Sequence, residues 1–250
     1  MTRAVVAALR AAGCVFAEDE AALLVEAARS PAELDRLVAL RVAGQPLEHV
    51  LGWASFCGQR IAVAPGVFVP RRRTELLARL ASSLCGSGLV VVDMCCGSGA
   101  VGAVLGDVEV HAVDVDPAAV ECARRNLPRG SVYLGDLFDA LPSALRGRID
   151  ILVANAPYVP TESIALMPPE ARVYEPAVAL DGGEDGLDVQ RRIIADAPAW
   201  LAPRGHVLIE TSREQAPLTL DLLAAAQLAA RVVEDDDLAA TVVLGHHPGE

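Results

Sequence analysis

From residue 89 onward the chain repeats one pattern: a short, unbroken apolar run, then a turn, then a helical stretch. Residues 89–92 read Leu-Val-Val-Val, end in Asp93 and run into Cys96-Gly97-Ser98-Gly99-Ala100. Residues 108–113 end in Asp114 and lead to a helix over 117–126, with Pro117 in its first turn, where a missing N–H costs nothing. Residues 131–134, 149–153 and 205–210 repeat the apolar run. Strands without polar alternation are buried on both faces. Interleaved with helices, they specify an α/β fold with a doubly wound, mostly parallel sheet. Further helices are expected over 74–83, 187–201 and 215–229, and two last runs, 231–233 and 241–244, fit a closing antiparallel hairpin. Residues 157–183 lack the pattern and are expected to form a long loop.

The beginning of the chain reads differently. Val5, Leu9, Leu23, Leu24, Leu34, Leu37, Val38 and Leu40 recur at helical spacings. Ser30-Pro31-Ala32-Glu33 is a helix start, with Ser30 as cap, Pro31 at the first position and Glu33 reaching back. Gly44-Gln45-Pro46 ends that helix. Gly52, Gly58 and Gly66 then punctuate Phe56 and Ile61-Ala-Val63, which suggests a β-hairpin. The division that follows is a small helical domain over 1–50, a hairpin and arginine-rich linker over 51–73, and the strand–helix domain over 74–250.

A chain of 250 residues with 53% hydrophobic content can bury one full core and a small extra one. Its net charge is −12 and it contains no lysine. That balance argues against broad affinity for nucleic acid or anionic membranes, and neither is expected as a partner. Arg71-Arg72-Arg73 is the local exception. Cys14, Cys57, Cys85, Cys95, Cys96 and Cys122 show no Cys-x-x-Cys spacing, and Glu18, Asp19 and Glu20 interrupt any leader-like run. No apolar stretch is long enough to span a bilayer. The expectation is a reduced, cytoplasmic monomer with free thiols and no metal site; His246-His247 reads as a solvated tail.

An open α/β sheet binds ligands just outside the carboxyl ends of its strands. Several chemistry-bearing residues fall there. Gly97 and Gly99 would let backbone approach a ligand closely, although a purely structural turn also uses such glycines. Asp114 ends the second strand, where a carboxylate can accept both hydrogens of a ribose diol; the plain alternative is a helix cap beside Asp116. Gly135-Asp136-Leu137 ends the third strand and can offer a carboxylate to an adenine amine, or be only a turn. The fourth strand ends in Asn155-Ala156-Pro157-Tyr158. A planar amide nitrogen is a poor nucleophile because its lone pair is delocalised. The Asn155 side-chain carbonyl and the Ala156 backbone carbonyl, stiffened by Pro157, can accept its two N–H groups, and Tyr158 can stack on its plane. Catalysis would then be mostly positioning, an in-line approach to the methyl of S-adenosylmethionine.

These segments resemble the HemK/PrmC group of protein-(glutamine-N(5)) methyltransferases over nearly the whole chain. Residues 52–75, GWASFCGQRIAVAPGVFVPRRRTE, are similar to that family's hairpin and its Pro-Arg-x-x-Thr-Glu segment, here Pro70, Arg71, Thr74 and Glu75. VVDMCCGSGA resembles its cofactor loop and carries over Asp93, Gly97 and Gly99. Asp114 and Asp136 match its acidic strand ends, and Asn155, Pro157 and Tyr158 its Asn-Pro-Pro-Tyr site. Tyr174-Glu175-Pro176, Leu180, Gly183, Asp185-Gly186-Leu187 and residues 205–210 match later segments. The resemblance implies a Rossmann-like class I methyltransferase fold. It implies S-adenosylmethionine bound by Asp93, Cys95, Gly97, Gly99, Asp114, Asp136, Leu137 and Asn155, and a protein substrate met by Arg71, Thr74 and Glu75. Two positions depart from the family: Cys95 replaces the first loop glycine, and Ala156 replaces a proline, which should make that loop less rigid.

Three readings stand. The first is methylation of a glutamine side-chain amide in a protein, a peptide-chain release factor. The second is methylation of an exocyclic amine of RNA or DNA, against which the acidic composition weighs. The third is a binding module that keeps the fold without catalysis, against which the intact Asn155-x-Pro-Tyr site weighs.

Overall fold

The computed structural model describes residues 2–247. Four helices come first: α1 (Thr2–Ala11), α2 (Ala17–Ala27), α3 (Pro31–Val42) and the short α4 (Leu47–Leu51). Their apolar stripes converge on Leu9, Ala21, Leu24, Leu34 and Leu37, all buried. Ser30 caps α3 as its spacing demands, its Oγ accepting from the Glu33 N–H at 3.2 Å. Glu33 reaches back one residue further than a capping box requires, to the Arg29 N–H at 2.8 Å. Arg41 of α3 and Glu20 of α2 form a half-buried pair at 2.6 Å that locks the two helices together.

Next come β1 (Trp53–Phe56) and β2 (Gln59–Ala62), joined by Cys57-Gly58. Both turn residues have positive φ, +47° and +74°, the geometry that matches the twist of a two-residue hairpin. The hairpin is built into the core that follows. Phe56 is fully buried and Ile61 nearly so, both clustered with Leu77, Ala81, Val91 and Ile151. Asn126 also grips the hairpin from both sides, accepting from the Ala62 N–H and donating to the Ala62 carbonyl, each at 2.9 Å.

The rest alternates as the apolar runs require: α5 (Glu75–Leu84), β3 (Val90–Met94), α6 (Ala100–Ala103), β4 (Glu109–Asp114), α7 (Pro117–Asn126), β5 (Ser131–Leu134), β6 (Ile149–Ala154), α8 (Pro169–Tyr174), α9 (Asp188–Trp200), β7 (Leu201–Thr211), α10 (Ala216–Ala225), β8 (Ala229–Asp235) and β9 (Ala240–His246). One sheet takes seven strands in the order β5-β4-β3-β6-β7-β9-β8. The first five are parallel, and β9 runs antiparallel to β7 and β8. Period-two alternation divides the core between two faces. Val90, Val92 and Met94 meet Ile193, Ile194 and Trp200 of α9, whereas Val91 meets Leu77 of α5 and Phe56 of the hairpin.

Three boundaries differ from expectation. The strand expected from residue 205 begins at Leu201, where α9 ends, because the chain bulges between its pairings with Ile149 and Ile151. A Cβ on Gly205 would lie 2.7 Å from the Ile149 carbonyl, so only glycine fits that bulge. The last helix stops at Ala225, and Gln227 at φ +62° turns the chain into β8. Residues 157–183 are not a bare loop but hold two 3-10 segments and α8.

Because Phe56 fills the core of the sheet layer, Phe56→Ala should cost about 3–5 kcal/mol of global stability in urea unfolding. A loss below about 1 kcal/mol would show that the hairpin is peripheral.

Candidate active site

The strand order reverses at β3: β4 and β5 lie on one side of it, and β6 and β7 on the other. At that switch point, beyond the carboxyl ends of the strands, lies a cavity of about 340 Å³. It is lined by Asp93, Cys95 and Gly97 from the end of β3, Asp114 from β4, and Asp136 and Leu137 after β5. Asn155, Ala156, Pro157 and Tyr158 after β6, with Arg71, Arg73 and Thr74 of the linker, complete it. Two sequence-named residues do not line it. Gly99 faces α7, where an added Cβ would lie 3.0 Å from Leu127 and 3.1 Å from Ala123. Glu75 turns to the hairpin, accepting from the Cys57 N–H at 3.0 Å and pairing with Arg79 at 2.9 Å.

Backbone N–H groups fix the cavity's acids. Asp114 accepts from the Gly97 N–H at 2.8 Å and from the Asp116 N–H at 2.9 Å. The cap of α7 is Asp116, bonded to the Ala118 N–H at 2.8 Å, so Asp114 is not spent on capping. Burial raises its pKa against the pull of those N–H groups. Asp93 is 3% exposed and accepts from the Gly102 N–H at 2.9 Å. Burial lifts its carboxyl from the ordinary 3.8 to about 7. Gly97, at φ +53°, has open space where a Cβ would stand, so its backbone is bare to the cavity. Cys95 takes φ +57° without glycine's freedom, at a cost of about 1–2 kcal/mol. Burial drives its thiol pKa up, so it is a neutral wall and not a thiolate. α6, which follows the glycine turn, is a single turn of four residues. Asp136 is half-exposed and paired with Arg192 at 2.7 Å, and Leu137 beside it is buried with φ +47°.

Asn155 donates through Nδ2 to the Thr74 hydroxyl at 3.3 Å. In this orientation Oδ1 can accept from a ligand. Tyr158 donates its hydroxyl to Glu210 Oε1 at 3.4 Å, and the Arg73 guanidinium lies 5.7 Å from its ring centroid. Burial and the Glu210 charge push the phenol up to about 12, which keeps it neutral. Arg73 also donates to Glu210 at 3.3 Å. Arg73 and Glu210 were not picked as site residues from the sequence. The signal was present: Glu210 is an acid closing an apolar run, the feature that singled out Asp114. Burial raises the Glu210 pKa, while Thr74, Arg73 and Tyr158 pull it back.

Residues 157–183 close the cavity's outer side and are tied down at several points. Glu175 has a side chain 1% exposed; it pairs with Arg71 at 2.5 Å and accepts from the Val69 N–H at 3.1 Å. Arg71 is therefore held by the long segment. Tyr174 donates to the Ala43 carbonyl at 3.0 Å, and Arg41 pairs with Glu170 at 3.4 Å, joining the segment to the helical unit. Behind the site, Gln215 donates to the Tyr158 and Asp185 carbonyls at 3.0 and 2.9 Å.

This fold and this site define a methyltransferase. The family model described as "Methyltransferase small domain" matches residues 59–167. A solved 16S rRNA N2 G1207 methyltransferase of T. thermophilus, in complex with AdoMet and guanosine, shares the fold with a TM-score of 0.57 at 22% identity, over 78% of this chain and 49% of that one. The chain is 37% identical over 194 residues to the release factor glutamine methyltransferase of Geobacter sulfurreducens, covering 74% of this chain and 67% of that protein. It is 39% identical over 189 residues to the protein of the same name in Streptomyces coelicolor, covering 72% and 67%. The chain belongs to the family of release factor glutamine methyltransferases. Its cofactor is S-adenosylmethionine. Among the described residues, no helix is long and apolar enough to cross a membrane.

Asp93 supplies a pH test of this electrostatic frame. Its folded pKa lies above that of an unfolded aspartate, so folding favours the protonated acid. That stabilisation is full below about pH 4 and is lost as pH rises through about 7. Asp93→Asn removes the ionisable group and keeps an acceptor for Gly102. In chemical unfolding of the cofactor-free protein it should gain about 1–3 kcal/mol more over wild type at about pH 8.5 than at about pH 5. An equal difference at both pH values would contradict the assignment.

Proposed function

We propose that this chain transfers a methyl group from S-adenosylmethionine to the side-chain amide nitrogen of a glutamine in a peptide-chain release factor. The observation that carries the reading is the Asn155 amide, held through Nδ2 by Thr74 in the same cavity as Gly97 and the backbone-fixed Asp114. The residues present suit the cofactor. Gly97 offers bare backbone, and each Asp114 oxygen keeps a lone pair for a ribose hydroxyl after accepting one N–H. Asp136 and Leu137 line the same cavity and can meet an adenine, with Asp93 and Cys95 lining it beside Gly97. Gly99 serves this loop from behind by letting α7 approach.

When bound, S-adenosylmethionine supplies an electrophilic sulfonium methyl. The chain's own residues then position the nucleophile. Asn155 Oδ1 and the Ala156 carbonyl accept the two N–H groups of the substrate amide and orient its nitrogen. Pro157 fixes the carbonyl, and Tyr158, neutral at physiological pH, lies over the flat group. Thr74 touches this arrangement through Asn155 and Arg71 shapes the entrance with Glu175, while Glu75 holds the hairpin turn outside the cavity. A bare glutamine amide is too small to be selected alone, so selectivity must come from surface remote from the reacting nitrogen. Val15 and Phe16 of the helical unit over 1–50, and Leu166 and Val173 of the long segment, are large apolar side chains left exposed for such a partner.

Asp114→Ala should weaken cofactor binding about ten- to a hundredfold in titration calorimetry, the scale on which charge-assisted hydrogen bonds to the ribose contribute. Asn155→Ala should leave that affinity within a few-fold and cut single-turnover methylation by about a hundredfold. The reverse pattern would exchange the two roles.

The substrate is tested by incubation with a release factor, with bulk RNA offered separately, and by mapping a mass gain of one methyl to a peptide. A methylated glutamine is expected. Transfer to an RNA amine, or to no release factor, would reject this substrate.

A further inference from the structure

We propose that Glu210 is a positioning residue that fixes which way round the Asn155 amide stands. The inference rests on the role given above to Asn155. An asparagine amide can stand in two orientations, exchanging its acceptor and donor ends. Thr74 alone does not choose between them. A hydroxyl can accept from Nδ2 or donate to Oδ1 with equal ease. The choice is made by whatever takes the hydroxyl's single hydrogen.

Glu210 is the next-to-last residue of β7, does not line the cavity, and interacts with the Thr74 side chain. Its side chain is 1% exposed. Oε1 receives Arg73 Nε at 3.3 Å and the Tyr158 hydroxyl at 3.4 Å. Oε2 is buried with no hydrogen-bond partner among the described residues, and a carboxylate oxygen so placed calls for a donor. Burial raises the pKa of this acid while Thr74, Arg73 and Tyr158 all favour its ionised form, and once ionised the carboxylate can only accept. With the Thr74 hydrogen turned to Glu210, the Thr74 lone pair takes Nδ2–H and Oδ1 is left for the substrate. Without Glu210, the amide can reverse and set donors against the donors of a glutamine amide. The same carboxylate holds the Tyr158 hydroxyl, so one buried charge registers both ends of the Asn155–Tyr158 segment.

The test is a double-mutant cycle of Glu210→Gln and Thr74→Val, with a release factor as substrate. Glutamine keeps the shape but can donate to Thr74, which releases the hydroxyl's direction. Each variant should lower kcat about tenfold, the rate equivalent of one hydrogen bond lost from the transition state, with KM and cofactor affinity nearly unchanged. The double variant should be no slower than either single, because both break the same link. Thr74→Ser, which keeps the hydroxyl, should recover most of what Thr74→Val loses. Losses that multiply in the double variant, or native kcat in a folded Glu210→Gln protein, would overturn the proposal. A second reading needs no substrate: the Asn155 side-chain NH2 resonances, observed by 15N NMR. They should exchange slowly with solvent in the native protein and faster in both variants. Unchanged exchange sinks the inference even if no release factor is methylated and the proposed function has failed on its own.

Discussion

The site depends on the parallel register between β3 and β6. Met94 lies opposite Ala154, so the residues that follow, Cys95 and Asn155, leave the sheet side by side. One strand leads into the glycine turn and the other into the Asn-Ala-Pro-Tyr segment. A slip of one residue would turn Asn155 to the other face of the sheet. The register is held because both strands are buried on both faces: Val92 and Leu152 belong to one core, Val91 and Ile151 to the other. The apolar runs that define the fold thus also fix the distance between the glycine turn and the Asn155 amide.

Arginine carries the second layer of organisation, since the chain has no lysine. Two neighbouring linker residues serve two buried acids on different elements: Arg71 meets Glu175 of the long segment, and Arg73 meets Glu210 of β7. A third pair, Arg41 with Glu20, binds the helical unit together. Removing one partner of such a pair leaves an uncompensated buried charge, which is why the linker acts as a hub and not as a loose tether. Two acids facing the cavity are treated differently from these and from Asp136, which pairs with Arg192. Asp93 and Asp114 are held by backbone N–H groups alone, with no arginine spent on them. Burial raises the pKa of both, and a cationic sulfonium cofactor beside them would favour their ionised forms.

Much of this was legible in the chain. The parallel sheet followed from unbroken apolar runs, and strand ends in Asp93, Asp114 and Asn155 marked the side on which the cavity lies. What was not legible had physical causes. Glu75 is named by its motif, yet its geometry depends on a hairpin turn that stands far from it in sequence and near it in space. Gly99 reads as a ligand-facing glycine but is required by the side chains of α7. The reach of the hairpin into the main core was hidden because Phe56 and Ile61 alternate like any half-exposed strand. Local spacing reports which face is apolar, not which element will cover it.

The two departures from the family's motif find their compensation outside the motif. Ala156 gives up the stiffness of a proline, but it is 1% exposed and packed in the sheet's core. The carbonyl on either side of the turn is braced from behind: an added Cβ on Gly182 would lie 2.7 Å from the Pro157 carbonyl, and one on Gly186 would lie 2.3 Å from that of Tyr158. Gln215 then ties Tyr158 to the 180s turn. A loop confined this closely has little freedom for a proline ring to remove, so the expected loss of rigidity is met by its surroundings. Cys95 is the harder case, since a side chain at positive φ is strained wherever it stands. It is tolerated because the Cys96 N–H is bonded to the Val113 carbonyl and the Gly97 N–H to Asp114, which pin the turn on the far side of Cys95. The strain is thus carried at the floor of the cavity, where the neighbouring strand supplies the restoring contacts.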